Sequence, residues 1–444
     1  MKRRDFSLGA AALLAGAARA SEQVPPPPQR VPLLVTNATL HPVAAPDIAN
    51  GRMLVDGGRI VALAGPGQPL PATATPPQVL DLGGAHVYPG FIAASSTLGL
   101  VEVSGVAVTV DSTERAPISP GARALVAINP DSELLPVARS NGVLTALVTP
   151  QGPAGGGISG TSALVQLDGW TWEDMALVPE AALHVALPSL RLADEVLGPQ
   201  LLPAADELRR FAAQRLRLID EAFDTAAAYA RARAATPTLP RDPRWDAMAP
   251  VLRGERPLFV HANELAQIRH ALALAERHRL KLVIVGGADA PRIADVLRER
   301  DVAVIVGGVH LRPLRRDEDV DARFRVAARL HAAGVRFAIA RAGGAASERN
   351  LPYEAASAAA HGLPRDEALK AITLYPAQIL GVAERLGALA PGRLASFFVT
   401  DGDPLETPTQ VQRLFVQGRE LAVDNKQIRL ADKYRQRYEQ LKPR

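Results

Sequence analysis

The chain has 444 residues, 48% of them apolar and 22% charged, with 35 glycines and 37 prolines, which excludes a disordered or fibrous protein and suffices for a large core. Cysteine is absent, so disulfides, thiolate nucleophiles, cysteine-bound zinc and iron–sulfur clusters are excluded, and any metal must be held by the nine histidines and the carboxylates. The formal charge is +4, but Lys2, Arg3, Arg4 and Arg19 against Asp5 place +3 of it in the first twenty residues, so the charge is no footprint for nucleic acid.

Residues 1–20, MKRRDFSLGAAALLAGAARA, combine a basic start, a short apolar stretch and a small-residue cleavage pattern at Ala18-Arg19-Ala20. This predicts a signal peptide, with Arg3-Arg4-Asp5-Phe6 fitting the twin-arginine type, and a periplasmic protein. The apolar stretch is too short to span a bilayer, and no later segment is long enough, so no membrane span is expected. Residues 21–30, with the run Pro25 to Pro28, read as an extended linker. From Val31, short alternating segments split by Gly and Asn turns predict small-sheet strands over 31–84.

From Ala85 eight apolar, strand-like runs follow: His86 to Ile92, Val143 to Thr149, Ser162 to Leu167, Ala182 to Leu187, Pro257 to His261, Lys281 to Val285, Val302 to Val306 and Val335 to Ala340. Helical patterns such as Glu264 to Arg279 and Ala290 to Arg300 separate several of them. This predicts a (β/α)8 barrel over 85–385, with a helical insertion at 204–235. Short strands return over 386–424, so a small β-sandwich-like domain is expected from both chain ends. Residues 425–444 form a basic tail, read as a solvated helix.

The segments GRMLVDGGRIVALAG, VLDLGGAHVYPGFI and LGALAPGRLASFFVTDGDPLE, with GVLTALVTP, PLFVHAN and RNLPYEAASAAAHGLPRDEALKAITLYPAQILGV between them, strongly resemble the amidohydrolase superfamily in its imidazolonepropionase-like branch, over Val31 to Leu421. The resemblance implies hydrolysis of non-peptide carbon–nitrogen bonds with one or two divalent metals at the carboxyl ends of the barrel strands. Such a metal lowers the pKa of a bound water and needs about three fixed protein ligands. In the family these are a His-x-His after the first strand, a His after the fifth, often one after the sixth, and an Asp after the eighth that also takes a proton.

At those places this chain has Ser95 and Thr97 in place of the paired histidines, His261 as the surviving ligand, Gly286 after the sixth strand, and Ala342 or Gly343 in place of the aspartate, with Arg341 beside it. No lysine lies between residues 3 and 280, which removes the carbamylated lysine of binuclear members. The expectation is therefore an intact fold without its metal: no cofactor, no confident catalytic residue, and a small molecule or protein bound at the barrel mouth, with a homodimer allowed. The alternative is a carbon–nitrogen hydrolase with a relocated site. Under it, zinc is held by His261 and His184, aided by Asp111, Glu114, Asp131 or His310, or Ser95, Ser96 or Thr97 serves as a nucleophile with His261. The Gly-rich GPAGGGISGTSALVQ lacks the lysine of a phosphate-binding loop and reads as a loop over the mouth or at an interface. Trp170 and Trp172 read as packing, an aromatic wall or a dimer contact.

Overall fold

A computed structural model describes residues 23–189, 202–341 and 344–442; the predicted signal peptide lies outside them. Strands β1 (Leu33–Leu40), β2 (Ile48–Asp56), β3 (Arg59–Ala64), β4 (Gln78–Asp81) and β5 (His86–Pro89) join β14 (Phe397–Thr400), β15 (Val411–Val416) and β16 (Arg419–Leu421) in one sheet of order β16-β15-β14-β5-β1-β2-β3, with β4 beside β1. The two chain ends meet where β14 runs antiparallel to β5. Alternate residues of these strands, among them Val35, Leu40, Met53, Val55, Val87, Phe397, Val399 and Phe415, pack into one apolar core.

The eight barrel strands are β6 (Phe91–Ser96), β7 (Val143–Val148), β8 (Gly157–Gln166), β9 (Ala176–Ala186), β10 (Leu258–Ala262), β11 (Leu282–Gly286), β12 (Ala303–Gly307) and β13 (Phe337–Ala340), ordered in space as in sequence. The run expected as one strand from His86 to Ile92 is two: β5 pairs in the small sheet, Gly90 follows, and β6 opens the barrel. A Cβ at Gly90 would stand 2.8 Å from the Leu144 side chain, so only glycine lets the chain cross there unhindered. Ile92 N donates to Ile372 O and Ile339 N to Ala371 O, so the segment Ala371–Ile372 bridges the first and last strands and closes the ring. Alternate strand residues, including Ile92, Ala94, Leu147, Phe259, Val285, Ile305 and Ala338, fill the interior together with Ala377, Val382 and Leu386.

The barrel matches the expected architecture with one departure: β8 runs antiparallel to both β7 and β9, while the other seven strands are parallel. The connection 149–156 is too short for the parallel crossover that needs a dozen residues, and a hairpin satisfies it. Two thirds of the Gly-rich stretch, Gly157–Gln166, is therefore strand, a correction to its reading as a loop. Its glycines let the connection after β6 lie directly on β8. Ile158 N donates to Pro117 O at 2.9 Å, Ser119 N to Ile158 O at 2.9 Å and Thr161 N to Ala122 O at 2.8 Å. A Cβ at Gly157 would sit 2.0 Å from Pro117 O, and one at Gly160 2.4 Å from Ala122 O. The predicted insertion is the helix Leu202–Ala235.

Candidate functional site at the barrel mouth

Inward-facing positions alternate along a strand, so the residue two beyond Ala182 on β9 and the one two beyond Phe259 on β10 also face inward, near the carboxyl ends of their strands. These are His184 and His261. Phe259 pairs with His184 in the ladder, and the rings meet with His184 Nδ1 3.0 Å from His261 Nε2. One of these nitrogens donates and the other accepts, so neither facing atom has a free lone pair for a metal. Burial strips both rings of water and disfavours their cationic forms, holding His184 well below the usual imidazole range and His261 down to about 4. Both are neutral at pH 7. The outer Nε2 of His184 is buried without a hydrogen-bond partner.

On β6 the contact falls on Ser96, between the two serine and threonine positions singled out by the family pattern. The register of β6 against β7 slips between Ala93 and Ser96, and Ser96 Oγ donates to Glu348 Oε2 at 2.7 Å. Ser95 and Thr97 are half-buried and make no side-chain hydrogen bond among the described residues. Glu348 lies in the 3-10 turn Ala345–Asn350 after β13 and is 2% exposed. Burial is the largest influence on its carboxyl; the nearby Glu354 adds to it, Ser96 and Arg341 oppose it, and the pKa is pushed up to about 8. Glu354, fully buried, faces Arg341 at 3.2 Å and accepts from the backbone N–H of His310 at 3.1 Å. The His310 ring meets Ser357 Oγ at 2.6 Å.

After β11, Gly286 has φ +102°, and a Cβ there would stand 2.6 Å from Asn263 Oδ1, so the place of the family's sixth-strand histidine is taken by the Asn263 side chain. That Asn263 oxygen is itself buried and unpaired. Ala342 and Gly343, at the expected aspartate position, lie outside the described residues. Asp111, Glu114 and Asp131 are exposed loop residues. Among the described residues no three His, Asp or Glu side chains gather in a way that could hold a metal ion.

Ser96 was one of three candidate hydroxyls in the sequence, whereas Asn263, Glu348 and Glu354 were missed. For Glu348 a signal existed, since it is the only carboxylate between β13 and the helix Leu351–Ala360. A cavity of 1190 Å3 opens away from this site, at the amino-terminal ends of β9 to β13, lined by Val178, Leu272, Lys281, Val302, Arg336 and Ile379 among others. Among the described residues no helix is long and apolar enough to cross a membrane.

Residues 256–424 match the amidohydrolase family model. The crystal structure of an amidohydrolase from Thermotoga maritima MSB8 superposes with a TM-score of 0.76 at 24% identity, covering 88% of this chain and 99% of that one. A prolidase complexed with N-methylphosphonate-L-proline (16% identity, 88% and 99% coverage, TM-score 0.53) and phenylurea hydrolase B (15%, 88% and 97%, 0.52) share the fold. No curated protein matches the sequence. The carboxyl-terminal part of the chain is thus similar in sequence to the amidohydrolase family, and the chain shares the barrel fold of these solved structures over most of its length.

Proposed function

We propose that the protein is exported to the periplasm and acts there, as a monomer or homodimer, without the metal-dependent hydrolysis of the superfamily it resembles. In this reading it is a binding protein that meets a small molecule or a protein at the barrel mouth. The observation that carries the reading is the 3.0 Å hydrogen bond between His184 and His261, which engages one nitrogen of each of the two imidazoles best placed to ligate a metal. Gly286, with Asn263 filling its side-chain space, supports it. The buried, unpaired His184 Nε2, Asn263 Oδ1 and Glu348 Oε1 give a polar ligand both donors and acceptors to meet. Elemental analysis of dialysed protein is expected to find well under one equivalent of zinc, iron or manganese. Stoichiometric metal that survives dialysis overturns the reading.

A second reading, a carbon–nitrogen hydrolase with an unusual site, has one observation in its favour. A carboxyl buried beside Ser96 and protonated up to about pH 8 has the properties of a general acid. Its signature is turnover that depends on Glu348.

A further inference from the structure

The carboxyl-terminal helix Lys426–Gln440 is firmly started and then left alone. Asn425 Oδ1 accepts from the backbone N–H groups of Gln427 and Ile428, both at 3.0 Å, and Arg429 lies 2.9 Å from Asp424 and 3.6 Å from Glu133 on the body of the protein. No residue of the helix is buried. At about 100° per residue, Leu430, Tyr434 and Tyr438, continued by Leu441, fall on one stripe. They are 42%, 47%, 65% and 65% exposed. Single exposed apolar residues are ordinary, but four in register form a surface.

The charges around the stripe indicate what that surface meets. On the same helical wheel Lys433 and Arg437 border one side and Arg435 and Lys442 the other, while Asp432 and Glu439 lie on the far face. Arg435 is tied to Asp432 and Lys442 to Glu439, whereas the Lys433 and Arg437 side chains meet no carboxylate among the described residues. Two copies packed stripe to stripe would bring these unpaired cations near one another. A bilayer of anionic phospholipid instead offers negative headgroups to the borders and acyl chains to the centre, and tyrosine favours that interface. We infer that this helix docks the protein peripherally on an anionic phospholipid surface, lying in its plane. The inference is independent of what the barrel binds.

Co-sedimentation of the full chain with vesicles tests it. Equal parts phosphatidylglycerol and phosphatidylcholine are expected to bring the protein down, and phosphatidylcholine alone is not. Leu430→Ser with Tyr434→Ser and Tyr438→Ser, or Lys433→Glu with Arg437→Glu, should each lower the bound fraction by about tenfold. Any binding through residues 1–20 is common to all three proteins, and these exposed positions leave the fold intact by circular dichroism. Hydrogen exchange localises the contact: anionic vesicles should slow exchange in the peptide 426–442. Unchanged exchange there, or variants that sediment like the parent, overturns the inference. Protection that appears without vesicles and grows with protein concentration identifies a second copy as the occupant and overturns it as well.

Discussion

Glu348 keeps its proton because the barrel mouth gives its charge little to interact with: one hydroxyl, a nearby guanidinium, and a second carboxyl that opposes it. Its folded pKa lies above the unfolded value, so its contribution to stability is complete below about pH 4.5 and declines as the pH rises toward about 8. His184 and His261 act in the opposite sense. Their folded values are lowered, so their contribution is present above about 6.5 and is lost as the pH falls. Glu348→Gln, which carries no titrating proton, should remove the loss of thermal stability between pH 6.5 and 8.5, where the histidines no longer titrate, and on the acid side should leave only the histidine-linked loss. A wild-type melting temperature that does not fall over that interval would show that Glu348 is ionised throughout. If the protein does turn over a carbon–nitrogen substrate through this carboxyl, the same variant should lose activity by about a hundredfold or more. The sequence made His261 legible as a site position through its family pattern. It could not place the polar contact on Ser96, because a one-residue slip in the pairing of β6 with β7 is set by tertiary packing and leaves no mark in residue type.

Among the elements, β8 carries the largest departure from what periodicity could say. An apolar alternation identifies a strand but not its direction, and both the seven parallel strands and the reversed one read as similar buried runs. The clue was the short connection 149–156, which admits a hairpin and no crossover. The glycines of β8 are there for close approach, since at Gly160 the backbone holds φ +107° and lies against Ala122 O. Gly160→Ala should therefore lower unfolding free energy by about 2 kcal/mol in urea titration. The rows of hydrogen bonds from 117–123 to β8 should also lose hydrogen-exchange protection. An unchanged denaturation midpoint would mean that the loop does not sit on the strand in solution.

At the scale of the molecule, the small sheet and the barrel are fastened by a buried charge network. Asp168, just beyond β8, is 6% exposed and lies 2.8 Å from Arg419 of β16 and 4.0 Å from Arg139, whose Nη2 also donates to Gln23 in the proline-rich segment. Burial lowers the Arg139 pKa to about 10, with Asp168 opposing the shift. Asp168→Ala leaves two largely buried guanidiniums without their shared anion and should lower stability by about 3–5 kcal/mol, measured by chemical denaturation. A loss within the range of an exposed ion pair would place the network in contact with water. The union of both chain ends in one sheet was legible, because the glycine-punctuated strands at either end leave apolar faces that only each other can cover. The proline-rich segment was legible only as extended; its docking depends on Arg139 and Arg419, which lie far along the chain.

Gly286 gives the barrel a direction of change. An imidazole placed at that position would require β11 to leave its left-handed backbone conformation and Asn263 to vacate the space it now fills, while Gly307 on the neighbouring strand already lies against the Gly286 backbone. No single codon change answers all three demands. A side chain at Gly286 therefore has to arrive with compensating changes in both neighbours, so this stretch of the mouth should tolerate substitution poorly.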